Sequence, residues 1–278
     1  MKPYALRLLA AAALIAAPAM LSAHRMWMLP SGTVFSGTDS WATIDAAVSN
    51  DLFFFDHQPL RLAGIKVWQP DGSEGRLQNG ATGRYRSVFD VELDKPGTWK
   101  VGTQMSAVMG SFKADGVEQR VGGRGGPRPG QPTPLTVADI PANATDVKLT
   151  EMSSRNEVFL TAGAPTTTVL RTSGKGLEFA PITHPDELVA GEAATFRFLI
   201  DGKPAPNLKV TVIPGGKRYR NDEGAMDLTT GADGVLSVTW PAVGMYWLNA
   251  TATDAKTSVP RATERRMSYV TTLEVLTP

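Results

Sequence analysis

Alternating apolar and polar positions dominate the last third of the chain. From Thr195 to Ile200, large apolar side chains occupy every second position, which is the period of a half-buried strand. Asp-Gly pairs, which favour tight turns, follow this run and precede a later one. Similar alternating or aromatic-rich runs lie at residues 208–212, 236–240, 244–248 and 267–276. Short strands separated by turns predict an antiparallel β-sandwich over residues 179–278.

The preceding part of the chain repeats this plan. Apolar side chains alternate with charged ones over residues 85–93, and a Pro-Gly pair then leads into an aromatic strand at Trp99. The strand that ends at Trp240 is likewise followed by a proline, a glycine and an aromatic strand. Residues 157–161 predict a strand that closes this first sandwich, which is expected to span residues 24–178.

A Gly/Pro-rich stretch interrupts the first predicted domain. Residues 121–134 are rich in glycine, proline and arginine and hold little apolar surface to bury. We therefore expect a flexible loop over residues 113–136. The predicted fold class is all-β, with two antiparallel Ig-like or transthyretin-like sandwich domains. The strand and turn order of the C-terminal part resembles the transthyretin-like and carboxypeptidase-regulatory-like β-sandwiches.

The first residues have the organisation of a secretory signal. Lys2 and Arg7 precede an apolar run that is too short to cross a bilayer comfortably, and Pro18 ends that run. We predict a signal peptide at residues 1–23, cleaved after Ala23. A cut after Ala19 is the alternative and would leave Met20 first. Either cut predicts an exported, periplasmic protein that is soluble once the signal is removed.

Composition narrows the partner classes. The chain has no cysteine, which excludes disulfides and thiolate metal sites. Without Lys2 and Arg7, 26 basic side chains face 27 acidic ones, so the charge gives no reason to expect a nucleic-acid partner. The composition does not indicate an oligomeric state.

Three histidines are the candidate metal ligands. If cleavage follows Ala23, His24 becomes the first residue and offers both its amine and its imidazole to a metal ion. His57 and His184 would complete a mostly nitrogen site, which suits Cu(II) or Ni(II). The alternative is that the three histidines are unrelated surface or packing residues, because three histidines in a chain of this length are not unusual. Their spacing does not decide between the two, since the ligands would come from three separate loops.

Two further features of the sequence accompany these histidines. Asp56 could orient His57 as a second-shell partner or could stabilise a turn after an apolar strand. The thioethers of Met26 and Met28 suit Cu(I), although their spacing also fits one buried face of a strand. The cluster from Lys217 to Arg220 is expected to be an exposed hairpin tip.

Taken together, these motifs resemble a large bacterial family of exported proteins of unknown function, often labelled as a nickel-uptake or cobalt-uptake periplasmic component. The matching segments are His24 and residues 49–57, 174–178, 183–192, 212–220 and 244–248. The resemblance implies an accessory protein for transition-metal uptake or delivery. An outer-membrane receptor or a membrane transporter component is the implied partner.

Two alternatives to a metal-binding function remain open at this point. A non-metal interaction module could bind a receptor or a glycan through exposed loops and strand edges, around Trp27, Trp41 or the phenylalanines of residues 53–55. A carbohydrate-active or copper-dependent enzyme is the other alternative, for which the sequence singles out no catalytic residue.

Overall fold

The computed structural model describes residues 24–123 and 133–278, and nearly all of its regular structure is β. The predicted signal peptide at residues 1–23 lies outside the described residues. The strands of the first part are β1 (Arg25–Pro30), β2 (Val34–Phe35), β3 (Ser40–Ser49), β4 (Gln58–Pro59), β5 (Ile65–Trp68), β6 (Gln78–Thr82), β7 (Ser87–Leu93), β8 (Gly97–Ala114), β9 (Val117–Val121) and β10 (Thr145–Ala162).

The second part continues the β structure. Its strands are β11 (Leu177–Pro181), β12 (Leu188–Val189), β13 (Ala193–Ile200), β14 (Lys203–Pro204), β15 (Lys209–Pro214), β16 (Met226–Thr229), β17 (Val235–Thr239), β18 (Gly244–Asp254) and β19 (Ala262–Leu276). The helices in the described part of the chain are single 3-10 turns at Leu62–Gly64, Val137–Asp139, Thr168–Leu170 and Lys217–Tyr219. No helix among these residues is long and apolar enough to cross a membrane.

The first sandwich packs a small sheet against one half of a large one. The small sheet has the order β1-β3-β7-β6, with β4 also paired to β3, and it faces strands β10, β8 and β5. Alternating positions of both sheets supply the core, as the sequence pattern predicts. Its large members are Met28, Ile44, Phe89, Trp99 and Leu160.

The second sandwich uses the other half of the same large sheet. Strands β16, β15, β18 and β19 face a four-stranded sheet formed by β11, β13, β14 and β17. The core between them is rich in aromatic rings, which pack at centroid distances of 5.0–6.4 Å. Its central members are Phe179, Phe196, Phe198, Trp240, Tyr246 and Tyr269. The predicted all-β, two-sandwich fold class is therefore confirmed.

One parallel strand pair joins the two halves of the large sheet. Strand β10 pairs with β19 from Leu149 to Val158, so one continuous sheet has the strand order β16-β15-β18-β19-β10-β8-β5. The sandwiches thus share a continuous sheet. A junction cluster of buried side chains lies over this seam, made of Trp27, Ala47, Leu52, Ile213, Trp247 and Val270.

Two boundaries differ from the sequence-based expectation. The predicted domain limit between residues 178 and 179 falls inside β11, which pairs with β13 of the second sandwich. The predicted loop 113–136 begins with a β-hairpin, because Asp115 and Gly116 both have positive φ values, 50° and 79°, which is the type I′ turn that closes two antiparallel strands. Residues 124–132 of that loop lie outside the described residues.

Candidate metal site at the junction of the two sandwiches

His24 and His57 meet at one end of the small sheet. Strand β3 lies between β1 and β4 at this end, with Arg25 opposite Ser49 and Gln58 opposite Val48. The residues that precede β1 and β4 therefore flank the end of β3. Their imidazole rings stack across it, with ring centroids 3.8 Å apart and planes inclined by 16°.

Trp27 anchors the loop that carries His57. Its indole Nε1 donates a hydrogen bond of 2.7 Å to Ser49 Oγ, which in turn donates to the carbonyl oxygen of Asp51 at 2.6 Å. The indole ring also packs against Phe53 and Phe55, at centroid distances of 5.4 and 5.6 Å. Trp27 is fully buried, so the loop over residues 50–57 is fixed to the core of the protein.

Asp56 stabilises the turn of this loop. Its Oδ1 accepts a hydrogen bond of 2.9 Å from the backbone N–H of Asn50, which closes the two ends of the loop on each other. Of the two roles considered for Asp56, this contact favours the turn. The carboxylate acts on the position of His57 through the backbone of the loop.

The second sandwich holds the same loop from the other side. Residues 214–224, which start at the last residue of β15, bring Lys217 Nζ to 3.1 Å from Asp51 Oδ1 and place the Arg218 guanidinium 5.0 Å from the centre of the Phe54 ring. Phe53 lies against Gly215. Three separate segments of the resemblance, at His24 and at residues 49–57 and 212–220, therefore converge at one junction.

The start of β1 is fixed to the second sandwich as well. The guanidinium of Arg25 forms a bidentate ion pair with the carboxylate of Glu223, in which Nη2 lies 3.0 Å from Oε2. It also lies 5.6 Å from the centre of the Trp247 ring, and Trp247 Nε1 donates to the carbonyl oxygen of Met26 at 3.1 Å. Because Arg25 follows His24 directly, these contacts fix the position of the backbone at His24.

His184 does not join the other two histidines. Its Nε2 lies 3.1 Å from Thr98 Oγ1 and 3.2 Å from the carbonyl oxygen of Thr166, while its Nδ1 accepts from the backbone N–H of Asp186 at 3.2 Å. These partners assign the neutral ring with its proton on Nε2, and both ring nitrogens are occupied. Burial lowers the pKa of His184, which favours the same neutral form.

The position of His184 also separates it from the pair. It belongs to a polar network with Thr98 and Thr161, and the Thr161 N–H donates to the carbonyl oxygen of Thr33, beyond the far end of β1. A six-residue strand spans about 20 Å, ten times the length of a metal–nitrogen bond of about 2 Å. One site that contains all three predicted ligands is therefore not formed in this arrangement.

The remaining donor set is made only of nitrogen atoms. Within residues 24–123 and 133–278, no three histidine, aspartate or glutamate side chains gather closely enough to hold a metal ion. If cleavage follows Ala23 as predicted, the amine of His24 would be a third nitrogen donor, and Cu(II) and Ni(II) favour nitrogen ligands. Stacked rings direct their lone pairs side by side, so one imidazole must turn before both can point at one ion.

The comparison with family models covers most of the chain. The model described as "Domain of unknown function (DUF4198)" matches residues 21–254. The chain belongs to the DUF4198 family. The match includes His24, His57 and the junction segment 214–224. No curated protein matches this DUF4198 chain.

Solved structures give only distant similarity to the DUF4198 chain. The D0-D1 domain of intimin is 11% identical, with 89% of this chain and 97% of that chain covered and a TM-score of 0.20. The human OSCAR ligand-binding domain is also 11% identical, with coverages of 90% and 98% and a TM-score of 0.20. An alpha-2-macroglobulin from Escherichia coli is 11% identical, with coverages of 90% and 16% and a TM-score of 0.22. Similarity at this level carries no argument about function.

Other residues singled out from the sequence have structural places in the DUF4198 chain. Met28 is fully buried in the core of the first sandwich and Met26 packs against that core, which is the packing alternative considered for them. Trp27 is buried and cannot belong to an exposed patch, whereas Trp41 is 44% exposed and Phe54 is 37% exposed. The segment Lys217–Tyr219 forms an exposed 3-10 turn, as the sequence predicts for a hairpin tip.

Sequence reasoning missed the contacts of two side chains. Glu223 holds Arg25 across the junction, and nothing in the local pattern of residues 220–224 indicates a partner so distant in sequence. Asp186 is buried and accepts a hydrogen bond of 2.6 Å from Thr161 Oγ1. Desolvation raises the pKa of Asp186 to about 7. A charged residue directly after His184-Pro185 is compatible with an exposed turn, so the sequence gives no signal of this burial.

Proposed function

We propose that this DUF4198 protein is a periplasmic, transition-metal-binding accessory protein in which His24 and His57 bind the ion. The observation that carries the proposal is the contact between the two imidazole rings, 3.8 Å apart at the start of the first described strand. The predicted cut after Ala23 adds the free amine of His24 as a third nitrogen donor. His184 takes no part, because its two ring nitrogens are engaged elsewhere.

Cu(II) and Ni(II) are the ions that this donor set fits. The two imidazoles and the amine would supply three nitrogen donors, the ligand type that these ions favour, and a remaining coordination position would let the ion be passed on. The resemblance to proteins labelled as nickel-uptake or cobalt-uptake components supports a role in uptake or delivery. The partner would be an outer-membrane receptor or a membrane transporter component that takes the ion as cargo.

The surroundings of the pair support a transfer site. Lys217 and Arg218 lie beside the loop of His57, and Tyr219 next to them is 88% exposed. A partner that contacted this tip would also lie close to the histidines. The same exposed tip is what favours the second candidate function, an interaction module that binds a receptor or glycan without any metal.

Intact-mass analysis of the exported protein is the first test. The mature mass reports the cleavage site, and titration with Cu(II) or Ni(II) in native buffer reports the number of ions retained. We expect one tightly held ion on a chain that begins at His24, and its loss in His24→Ala and in His57→Ala. A chain that begins at Met20, or unchanged affinity in both variants, would contradict the proposal and favour the interaction module.

A matched pair of extensions tests the amine without changing any side chain. One glycine added before His24 displaces the amine and retains both imidazoles, whereas one glycine added after Pro278 serves as the control. We expect the first extension to weaken Cu(II) binding by roughly tenfold or more, equivalent to about 1.4 kcal/mol, and the second to leave it unchanged. Equal affinities would show that the amine is not a ligand.

A further inference from the structure

Three methionines share one face of the long β8–β10 ribbon. In this antiparallel pair, Met105 lies opposite Ser154, Ala107 opposite Met152, and Met109 opposite Thr150. Alternate residues of a strand point to the same face, and directly opposed residues point to that face together. The side chains of Met105, Met109 and Met152 therefore project on the same side of the sheet.

The register brings the three thioethers within reach of one point. Met152 is the diagonal neighbour of both Met105 and Met109, and diagonal neighbours are about 7–8 Å apart, which long side chains can bridge. Ala107 lies between the two methionines of β8 and directly opposite Met152. Its single methyl group leaves the space above the centre of the triangle for the longer side chains.

This face is accessible, and the methionines on it are not core residues. Met105 is 52% exposed, and Met109 and Met152 are half-buried. The ladder of β5 on β8 stops at Thr103 and that of β9 starts at Gly110, so the described strands leave residues 104–109 without a ladder partner on the outer edge of β8. Met28 and Met267, by contrast, are buried in the two cores. Core packing does not explain the cluster.

We propose that Met105, Met109 and Met152 form a binding site for a soft monovalent ion, Cu(I). Thioether sulfur is a ligand that selects Cu(I), and three thioethers give a neutral, proton-independent site. Arg266, which lies opposite Met152 on β19, is paired with Glu264 and is therefore compensated. The site is separate from His24 and His57 in sequence and in ligand chemistry, so it does not depend on the proposed nitrogen site.

Competition with a Cu(I)-specific chelator tests the site. The mature protein is titrated against bicinchoninate under anaerobic conditions with ascorbate as reductant, and the variants replace methionine with leucine, which has a similar volume. We expect Met152→Leu to weaken Cu(I) binding by roughly tenfold and the triple variant by roughly a hundredfold or more. Met245→Leu is the matched control, because Met245 is a half-buried methionine on β18 outside the cluster.

Two outcomes of this competition would overturn the site. One is a triple variant that binds Cu(I) as tightly as the unmodified chain, and the other is a Met245→Leu variant that loses as much affinity as Met152→Leu. His24→Ala and His57→Ala should leave Cu(I) affinity unchanged. If those two variants abolish it instead, the ion binds at the histidines and the methionine site is wrong.

Methionine methyl resonances give a readout that does not depend on affinity. With Ag(I) as a redox-inert substitute for Cu(I), we expect the ε-methyl signals of Met105, Met109 and Met152 to shift together and to saturate at one equivalent. The signals of Met28 and Met267 should stay in place. Shifts confined to other methionines, or three independent saturation curves, would exclude a shared site.

Discussion

The imidazole rings of His24 and His57 stack at the end of β3, with centroids 3.8 Å apart, although neither residue is part of a paired strand. Their proximity is a consequence of sheet topology, since the strands that follow them pair with opposite edges of β3. Adjacent strands are about 4.8 Å apart, so two side chains that lean over the intervening strand can meet. The precision of the contact then depends on what holds the loop over residues 50–57.

Gly215 is one of the residues that hold this loop. A Cβ atom at this position would lie 3.0 Å from the carbonyl oxygen of Met245 and 3.1 Å from Phe53 Cδ2. We therefore expect Gly215→Ala to displace Phe53, to lower the free energy of unfolding by about 1–3 kcal/mol, and to weaken metal binding at His57 without touching a ligand. Thermal unfolding and Cu(II) titration measure both effects.

Gly37→Ala is the matched control for this substitution. Gly37 has no heavy atom within 4 Å of an added Cβ, so both the stability and the metal affinity should stay unchanged. If Gly215→Ala weakens neither property, the packing of Phe53 on residues 214–216 does not position the site.

The hydrogen bond between Trp27 and Ser49 is a second determinant of the loop. Trp27→Phe retains an aromatic ring against Phe53 and Phe55 but leaves the buried Ser49 Oγ without its donor. Ser49 Oγ would still donate to the carbonyl oxygen of Asp51 but would accept no hydrogen bond. Leaving a buried acceptor unpaired costs about 1–3 kcal/mol, so urea unfolding should show a loss of that order. In the Trp27→Phe background, Ser49→Ala should lower the free energy of unfolding by less than it does in the unmodified chain, because residues in contact are coupled. Strictly additive losses would contradict this coupling.

The two proposed metal sites should differ in their response to acid. Amines and imidazoles bind metal in their neutral forms, so protons compete with the ion at His24 and His57. Thioethers are not protonated in neutral or acidic solution, so Met105, Met109 and Met152 should retain Ag(I) at a pH at which the histidine site has released Cu(II). Equilibrium dialysis of each ion at about pH 7 and about pH 4 makes the comparison. Parallel release of both ions would show that they share one set of ligands.

Local patterns in the sequence predicted at least part of eight of the nineteen strands in the described residues. Alternation over residues 85–93 and 195–200 corresponds to β7 and β13, because burial of one sheet face imposes a period of two on the sequence. The parallel pairing of β10 with β19 could not be predicted in this way. It joins segments more than a hundred residues apart, and register over that distance depends on global packing.

The candidate site was predictable only in part. The sequence motifs pointed to His24 and His57, and the topology brings these two together. His184 has the same residue type and a similar position after a strand, yet its ring nitrogens are satisfied by Thr166 and the backbone of Asp186. Whether a histidine is free to bind a metal depends on its hydrogen-bond partners, which come from distant segments.

The burial of Asp186 predicts an unusual dependence of stability on pH. The folded chain raises the pKa of this carboxyl from 3.8 to about 7, chiefly because it is desolvated. Between about pH 4 and pH 7 the folded state therefore holds a proton that the unfolded state releases, and the free energy of unfolding falls as pH rises. The loss from this group reaches up to about 4 kcal/mol at neutral pH and above. Urea unfolding across this range measures it.

Asp186→Asn should remove that loss, because the amide can still accept from Thr161 Oγ1 and carries no charge. We expect the variant to match the unmodified chain near pH 4 and to exceed its stability near pH 8. Asp222→Asn, at an exposed position, is the control with the same change of charge.

The lowered pKa of His184 acts in the opposite direction, since the unfolded ring binds a proton below its ordinary pKa of 6.5 and the folded ring does so less readily. In Asp186→Asn the contribution of His184 is no longer opposed by that of Asp186, so stability should rise more with pH, up to about 6.5, than it does in the unmodified chain. A variant whose pH profile parallels that of the unmodified chain would mean that Asp186 is ionised in the folded state across the whole range.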